Sequence, residues 1–227
     1  MMYSCGCVNE LDLRWGVMHN TIKCPYHVEY KAKHPPGHAY YESLGVLSEA
    51  GVVLPASYLT QFTESFGELK TATTEGAYAL EIGCGVSPYV NLIRSAGYTY
   101  IGVDEDPWAA NYTHNEYGVH TIAGVFPDCC DTGDGKLELV LMAHVLEHVK
   151  DAPKALLRVR ALLKPGGWLY IIVPDDEDQT NPDHLWFFNE ASLRHVLAQV
   201  GFEVHRFSTA RLNDRENFMY LLARKPL

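Results

Sequence analysis

From about residue 75 onward, short apolar runs alternate with stretches of helical period. The runs predict strands at Tyr78–Ile82, Tyr100–Asp104, Thr121–Ala123, Leu137–Met142, Trp168–Val173, Phe202–Phe207 and Phe218–Ala223. Most of the early ones are apolar almost throughout, as expected where both faces of a parallel sheet are covered. Between them, Ser87 is placed to cap a helix with Pro88 at its first position and Gly97 at its end. Asp151 caps a second, with Ala155, Leu156, Val159, Leu162 and Leu163 on one face and Pro165-Gly166 as its stop. Asn189 caps a third, with Leu193, Val196, Leu197 and Val200 inward and Gly201 closing it. Strand and helix in this order predict a doubly wound α/β sheet with right-handed crossovers. Before residue 75 the alternation is absent and Gly, Pro, His, Tyr and Cys are frequent. There, Tyr40 to Gly67 reads as largely helical, in two pieces broken near Gly51 and Pro55.

Composition narrows the classes. With 227 residues the chain holds one domain, or a core and an appendage. A hydrophobic fraction of 47% against 20% charged residues fits a folded protein. The net charge of −10 argues against a partner held by its phosphates, so no nucleic acid is expected. No apolar run reaches the roughly 18 residues that span a bilayer, so no membrane is expected. Met1 to Cys7 carries neither a basic flank nor an apolar stretch, and no signal peptide is read. The six cysteines then suggest a reducing, cytoplasmic setting.

The informative stretch is Ala79-Leu80-Glu81-Ile82-Gly83-Cys84-Gly85-Val86-Ser87-Pro88. An apolar strand runs into a Gly-x-Gly turn, where backbone can approach a ligand that a Cβ would block. The next strand ends in Ile101-Gly102-Val103-Asp104-Glu105. Asp104 is placed to accept from ribose hydroxyls. The pattern indicates a nucleoside-containing cofactor. A dinucleotide fingerprint needs a third glycine where Pro88 stands, which disfavours an NAD-linked oxidoreductase.

Glu81-Ile82-Gly83-Cys84-Gly85 followed by Gly102-Val103-Asp104 resembles the first two cofactor motifs of class I S-adenosylmethionine-dependent methyltransferases. Leu139 to Val149, with Leu146-Glu147-His148, resembles the family's fourth strand and its exit. Leu163-Lys164-Pro165-Gly166-Gly167 resembles the turn before the fifth strand, and His184 to Phe202 the C-terminal helix. Four blocks in family order cover residues 76–225. The resemblance implies a doubly wound, mostly parallel seven-stranded Rossmann-like sheet with a small N-terminal extension, and S-adenosyl-L-methionine as cofactor. It places Gly83, Cys84 and Gly85 at the methionine part, Glu81 toward the ammonium, Asp104 and Glu105 at the ribose, and Ala143 and His144 at the end of strand four. Many relatives carry an acid after the third strand for the adenine amino group. Here Gly124-Val125-Phe126-Pro127 stands instead, making Phe126 the candidate adenine contact.

Methyl transfer from a sulfonium is an in-line displacement that depends mainly on holding the nucleophile in place. A base is needed only for a protonated acceptor, and an imidazole titrating near neutrality suits that role. His148 and His184 are the candidate catalytic residues, with His144 beside them, all near the carboxyl ends of strands. Further upstream, Cys5-Gly6-Cys7 and Cys24-Pro25-Tyr26-His27 flank a possible hairpin around Gly16. Cys5, Cys7, Cys24 and His27 would make a Cys₃His zinc site; His34 and His38 are alternative ligands, and plain reduced cysteines the other reading. The organisation expected is a zinc-binding hairpin extension at 1–38, a helical cap at 39–75 and the methyltransferase domain at 76–227. The acceptor is expected to be a small molecule, since there is no large insertion or basic groove. A protein acceptor stays open, as does a non-catalytic module that binds a partner through the hairpin.

Overall fold

The apolar runs form the centre of a seven-stranded sheet. The computed structural model describes residues 38–43, 46–53, 59–64, 67, 76–130, 133–175, 184–211 and 217–227. Its strands are β3 (Tyr78–Ile82), β4 (Thr99–Asp104), β5 (His120–Ala123), β6 (Leu137–Ala143), β7 (Leu163–Pro174), β8 (Glu203–Arg211) and β9 (Asn217–Arg224). They lie in the order β5-β4-β3-β6-β7-β9-β8. All neighbours are parallel except β9, which runs antiparallel to both β7 and β8. The chain leaves β3 toward β4 and β5, then returns to place β6 on the other side of β3. That reversal opens a crevice at the carboxyl ends of β3 and β6, the position where open α/β sheets bind ligands.

Each face buries its own set of side chains. Leu80, Ile82, Val140, Met142, Leu169 and Ile171 meet Leu156 and Val159 of α4 (Ala152–Leu162) and Leu193 and Leu197 of α5 (Glu190–Gln199). On the opposite face Leu139, Leu141, Tyr170 and Ile172 cluster with Val90 and Ile93 of α2 (Val90–Ser95) and with Phe62 of the helical stretch 59–64. Helices on both faces explain why the strands read as apolar runs rather than alternating ones. Among the described residues no helix is long and apolar enough to cross a membrane.

Most expected elements are present, and the differences have local causes. Asp151 caps α4, accepting from Lys154 N–H at 2.9 Å. That helix ends at Leu162, ahead of Pro165-Gly166, because Leu163 already pairs with Leu137 in the sheet. Ser87 does not cap α2: the helix begins at Val90 and Ser87 adopts φ +24°. Its hydroxyl is committed elsewhere, as the site shows. The stretch from Tyr40 onward is less helical than expected. A short helix, α1 (His38–Ser43), is followed by a two-stranded hairpin of β1 (Leu47–Ser48) and β2 (Gly51–Val52). Helix α3 (Pro107–Tyr117) was not foreseen, although Asp106 caps it, Pro107 starts it and left-handed Gly118 ends it. Cys5, Cys7, Cys24 and His27 lie outside the described residues.

The cap of α5 is reciprocal. Asn189 Oδ1 accepts from Ser192 N–H, and Ser192 Oγ accepts from Asn189 N–H, both at 2.9 Å. Replacing such a cap by alanine costs about 1 kcal/mol, or about 2–4 °C in melting temperature for a chain of this size. Asn189→Ala should show that loss in a thermal melt. An unchanged melt would mean that the cap does not hold α5.

Candidate functional site

The loop after β3 is fixed by polar side chains from three elements. Asp104, at the end of β4, is 7% exposed. Its Oδ2 accepts from Gly85 N–H at 2.7 Å and its Oδ1 from Asp106 N–H at 2.8 Å. Thr113 of α3 donates to the Gly85 carbonyl at 2.8 Å. The peptide groups on both sides of Gly85 are thus held. Glu81, 2% exposed, accepts at Oε2 from the hydroxyls of Ser87 and Tyr100, each at 2.6 Å. Ser87 Oγ in turn accepts from Tyr89 N–H at 3.2 Å. Burial pushes the carboxyl pKa of Glu81 up to about 8 and that of Asp104 up to about 7, against the hydrogen bonds that pull each down.

The glycines serve two needs. Gly83 has φ +67°, and a Cβ on it would collide with Val145 Cγ2 of the turn after β6. Gly102 leaves room for Cys84, whose Sγ would lie 2.9 Å from an added Cβ. The Cys84 thiol is accordingly buried, and burial raises its pKa well above the ordinary thiol value. It is a packing residue and poorly suited to act as a nucleophile.

Above this loop lies α1. The Tyr41 ring approaches Gly85, with Cε1 3.0 Å from where a Cβ would stand. It stacks on Trp108 of α3, with centroids 5.8 Å apart, and Trp108 stacks on Tyr112 at 5.3 Å. Burial first, then the nearby Asp104 and Asp106 carboxylates, raise the Tyr41 pKa and keep the phenol neutral.

The far wall is the turn after β6. His144 takes a left-handed φ of +55°, uncommon for a residue with a side chain. Its N–H donates to Ile172 O at 2.9 Å, and its ring meets Phe218 edge-on at 4.8 Å. His148 and His184 lie ring against ring, centroids 4.8 Å apart. Leu185 N–H and Trp186 N–H both donate to Glu147 O, at 2.7 and 3.1 Å, which docks the 184–186 segment on this turn.

Comparison with known proteins now decides the family. A model of the methyltransferase domain family matches residues 57–206. The chain belongs to the class I S-adenosylmethionine-dependent methyltransferases. It is 27% identical over 186 residues to the C-methyltransferase NovU of Streptomyces niveus, covering 77% of this chain and 42% of that protein. The chain therefore spans less than half the length of that curated relative. The fold is similar to a Burkholderia thailandensis 1,6-didemethyltoxoflavin-N1-methyltransferase, with a TM-score of 0.64, 16% identity, and 92% and 94% of the two chains covered. It is also similar to the [4+2]-cyclase SpnF, with a TM-score of 0.61, 16% identity, and 74% and 80% covered.

The methyltransferase loop fits the cofactor that its family uses. Each Asp104 oxygen spends one lone pair on backbone and retains a second acceptor position. Glu105 follows it on the surface, and Ala143 and His144 are half-buried at the end of β6. Phe126, expected near adenine, is buried in the cluster with Ile122 and Cys129. Tyr41, Thr113 and Glu147 were given no role from sequence. Only Glu147 carried a signal, lying in the Leu146-Glu147-His148 exit.

Two buried carboxyls with raised pKa values make a pH prediction. Each binds a proton in the folded state at pH values where the unfolded chain has lost it. Stability is therefore greatest in mild acid and falls as pH rises from about 4 through about 8. Glu81→Gln keeps an acceptor for Ser87 and Tyr100 and should remove the part of the decline above pH 7. Urea midpoints at pH 5, 6.5 and 8.5 test it; parallel curves for the two proteins would refute the assignment.

Proposed function

We propose that the chain transfers a methyl group from S-adenosylmethionine to a small-molecule acceptor. The observation that carries this reading is the Gly85 loop, tied to a buried Asp104 at the point where the strand order reverses. Bound there, the cofactor supplies an electrophilic methyl on a sulfonium. Gly83 and Gly85 give it backbone without side chains, and Asp104 with Glu105 holds the ribose hydroxyls. Glu81 keeps the loop in shape through Ser87 and Tyr100, facing the methionine ammonium. Phe126 is assigned to the adenine side and Cys84 to packing.

The acceptor belongs on the side of the β6 turn, because Val145 of that turn lies against Gly83. Ala143, His144, His148 and His184 surround this position. The two later histidines are the groups proposed to meet the acceptor's reacting atom. The described residues of the 39–75 stretch are assigned to a cap, with Tyr41 stacked on Trp108 beside Gly85. Cys5, Cys7, Cys24 and His27 keep their reading as a separate zinc site that tethers the extension. The name of the C-methyltransferase NovU supports methyl transfer, and the 1,6-didemethyltoxoflavin bound to the Burkholderia thailandensis methyltransferase supports a small-molecule acceptor; SpnF shows that the fold alone does not dictate the reaction.

Thermal unfolding with S-adenosylhomocysteine, with NAD and with neither tests the cofactor. At about 100 times Kd, binding adds about 2.7 kcal/mol, or roughly 5–10 °C. The rise should come with S-adenosylhomocysteine alone and shrink in Asp104→Asn. A rise with NAD, or none with either ligand, would overturn the reading.

A further inference from the structure

The turn after β6 buries an acid that its surroundings leave unsatisfied. Glu147 is 1% exposed, and neither carboxylate oxygen has a hydrogen-bond partner among the described residues. A carboxylate removed from water without donors is costly, and such groups are normally paired or bound to a cation. Donors that could share a cation with it are close by. One ligand atom from each of Glu147, His148 and His184 lies within 4.8 Å of the others. His144 Nδ1 stands 3.6 Å from Oε1, beyond hydrogen-bond reach, and balances the charge only when protonated.

The cluster joins two separate stretches of chain. Besides the bonds from Leu185 and Trp186 to Glu147 O, Trp186 Nε1 donates to Val149 O at 2.7 Å. These three bonds hold His184 beside a turn 36 residues earlier. The buried carboxylate is fixed, whereas His148 is exposed and His184 half-buried. Metal bonds of about 2.0–2.2 Å set tetrahedral ligand atoms about 3.3–3.6 Å apart, so binding requires the two imidazoles to turn inward from their present positions.

We infer that Glu147, His148 and His184 form a site for a divalent first-row transition cation. Two imidazoles and one carboxylate suit zinc, cobalt, manganese or iron rather than a soft ion. Three protein ligands leave a position open. Val145 of the same turn lies against Gly83, so we place that position on the side of the cofactor loop; there the ion would take an oxygen of the acceptor, and His148 and His184 meet the acceptor through the ion rather than directly. This placement of the acceptor rests on the function proposed above. The ion site itself does not, and its test reads the ion alone.

Metal-free protein of residues 1–227 would be titrated with Co²⁺ and followed by visible absorption. A Cys5→Ser, Cys7→Ser, Cys24→Ser background removes the upstream thiolates. In that background one Co²⁺ should bind with a nitrogen–oxygen spectrum, and Glu147→Gln and His184→Ala should each weaken it at least tenfold. Circular dichroism confirms folding. If the background itself does not fold, the same two substitutions are compared in the unsubstituted chain, where thiolate charge transfer separates the upstream ion. Undiminished nitrogen–oxygen binding in both variants would overturn the site, as would no such binding by folded parent protein.

Discussion

Gly85 is where strand, loop and helix are joined. Its N–H is held by the Asp104 carboxylate and its carbonyl by the Thr113 hydroxyl. Asp104 ends β4, Thr113 sits in the middle of α3, and Gly85 belongs to the loop leaving β3. This one residue therefore ties the loop leaving β3 to the end of β4 and to the helix that follows it. The same Asp104 carboxylate holds Asp106 N–H, and Asp106 caps α3 by accepting from Trp108 N–H at 2.9 Å. The loop, the helix start and the stacked Tyr41–Trp108 pair above them all depend on that one side chain.

Three buried acids at this end of the sheet are satisfied in three different ways. Glu81 has two hydroxyl donors and Asp104 two backbone donors, and both sit within a closed network. Glu147 has none among the described residues, although it is the most deeply buried of the three. Unfavourable desolvation is common to all of them, so the difference lies in what the fold supplies afterward. For Glu81 and Asp104 it supplies hydrogen bonds that hold a loop ready for a ligand. Beside Glu147 it supplies two imidazoles with ligand atoms within 4.8 Å, the arrangement from which we infer a cation site.

The sheet was legible because burial on two faces writes itself as apolar runs, and a run has clear edges. Six of the seven predicted strands nevertheless extend further in the structure, most of all β7, which begins at Leu163 rather than Trp168. Its early pairing with Leu137 crosses a register shift that a run of side-chain types does not encode. Caps were legible when the polar residue had no other duty, as at Asp151 and Asn189. Ser87 looked like a cap because Pro88 follows it, but its hydroxyl is drawn to a buried acid six residues earlier. Local rules cannot see that demand, since it arises only once Glu81 is enclosed by the sheet. Helix α3 differs: Asp106-Pro107 and Gly118 were readable punctuation, but its weakly amphipathic interior hid the helix between them.

Within the candidate site, the glycine motif and Asp104 were readable because backbone approach and ribose binding each demand particular residue types. The acceptor side was readable only as a set of histidines. Imidazole is versatile, and its role depends on what stands opposite it, here an enclosed carboxylate brought close by the docking of residues 184–186 onto the turn. The fold accommodates both a methyltransferase and a [4+2]-cyclase, so the sheet and the cofactor loop cannot by themselves choose the chemistry. In the function proposed above, the choice is assigned to the turn after β6, where left-handed His144, buried Glu147 and the facing pair His148 and His184 bring ligand atoms together.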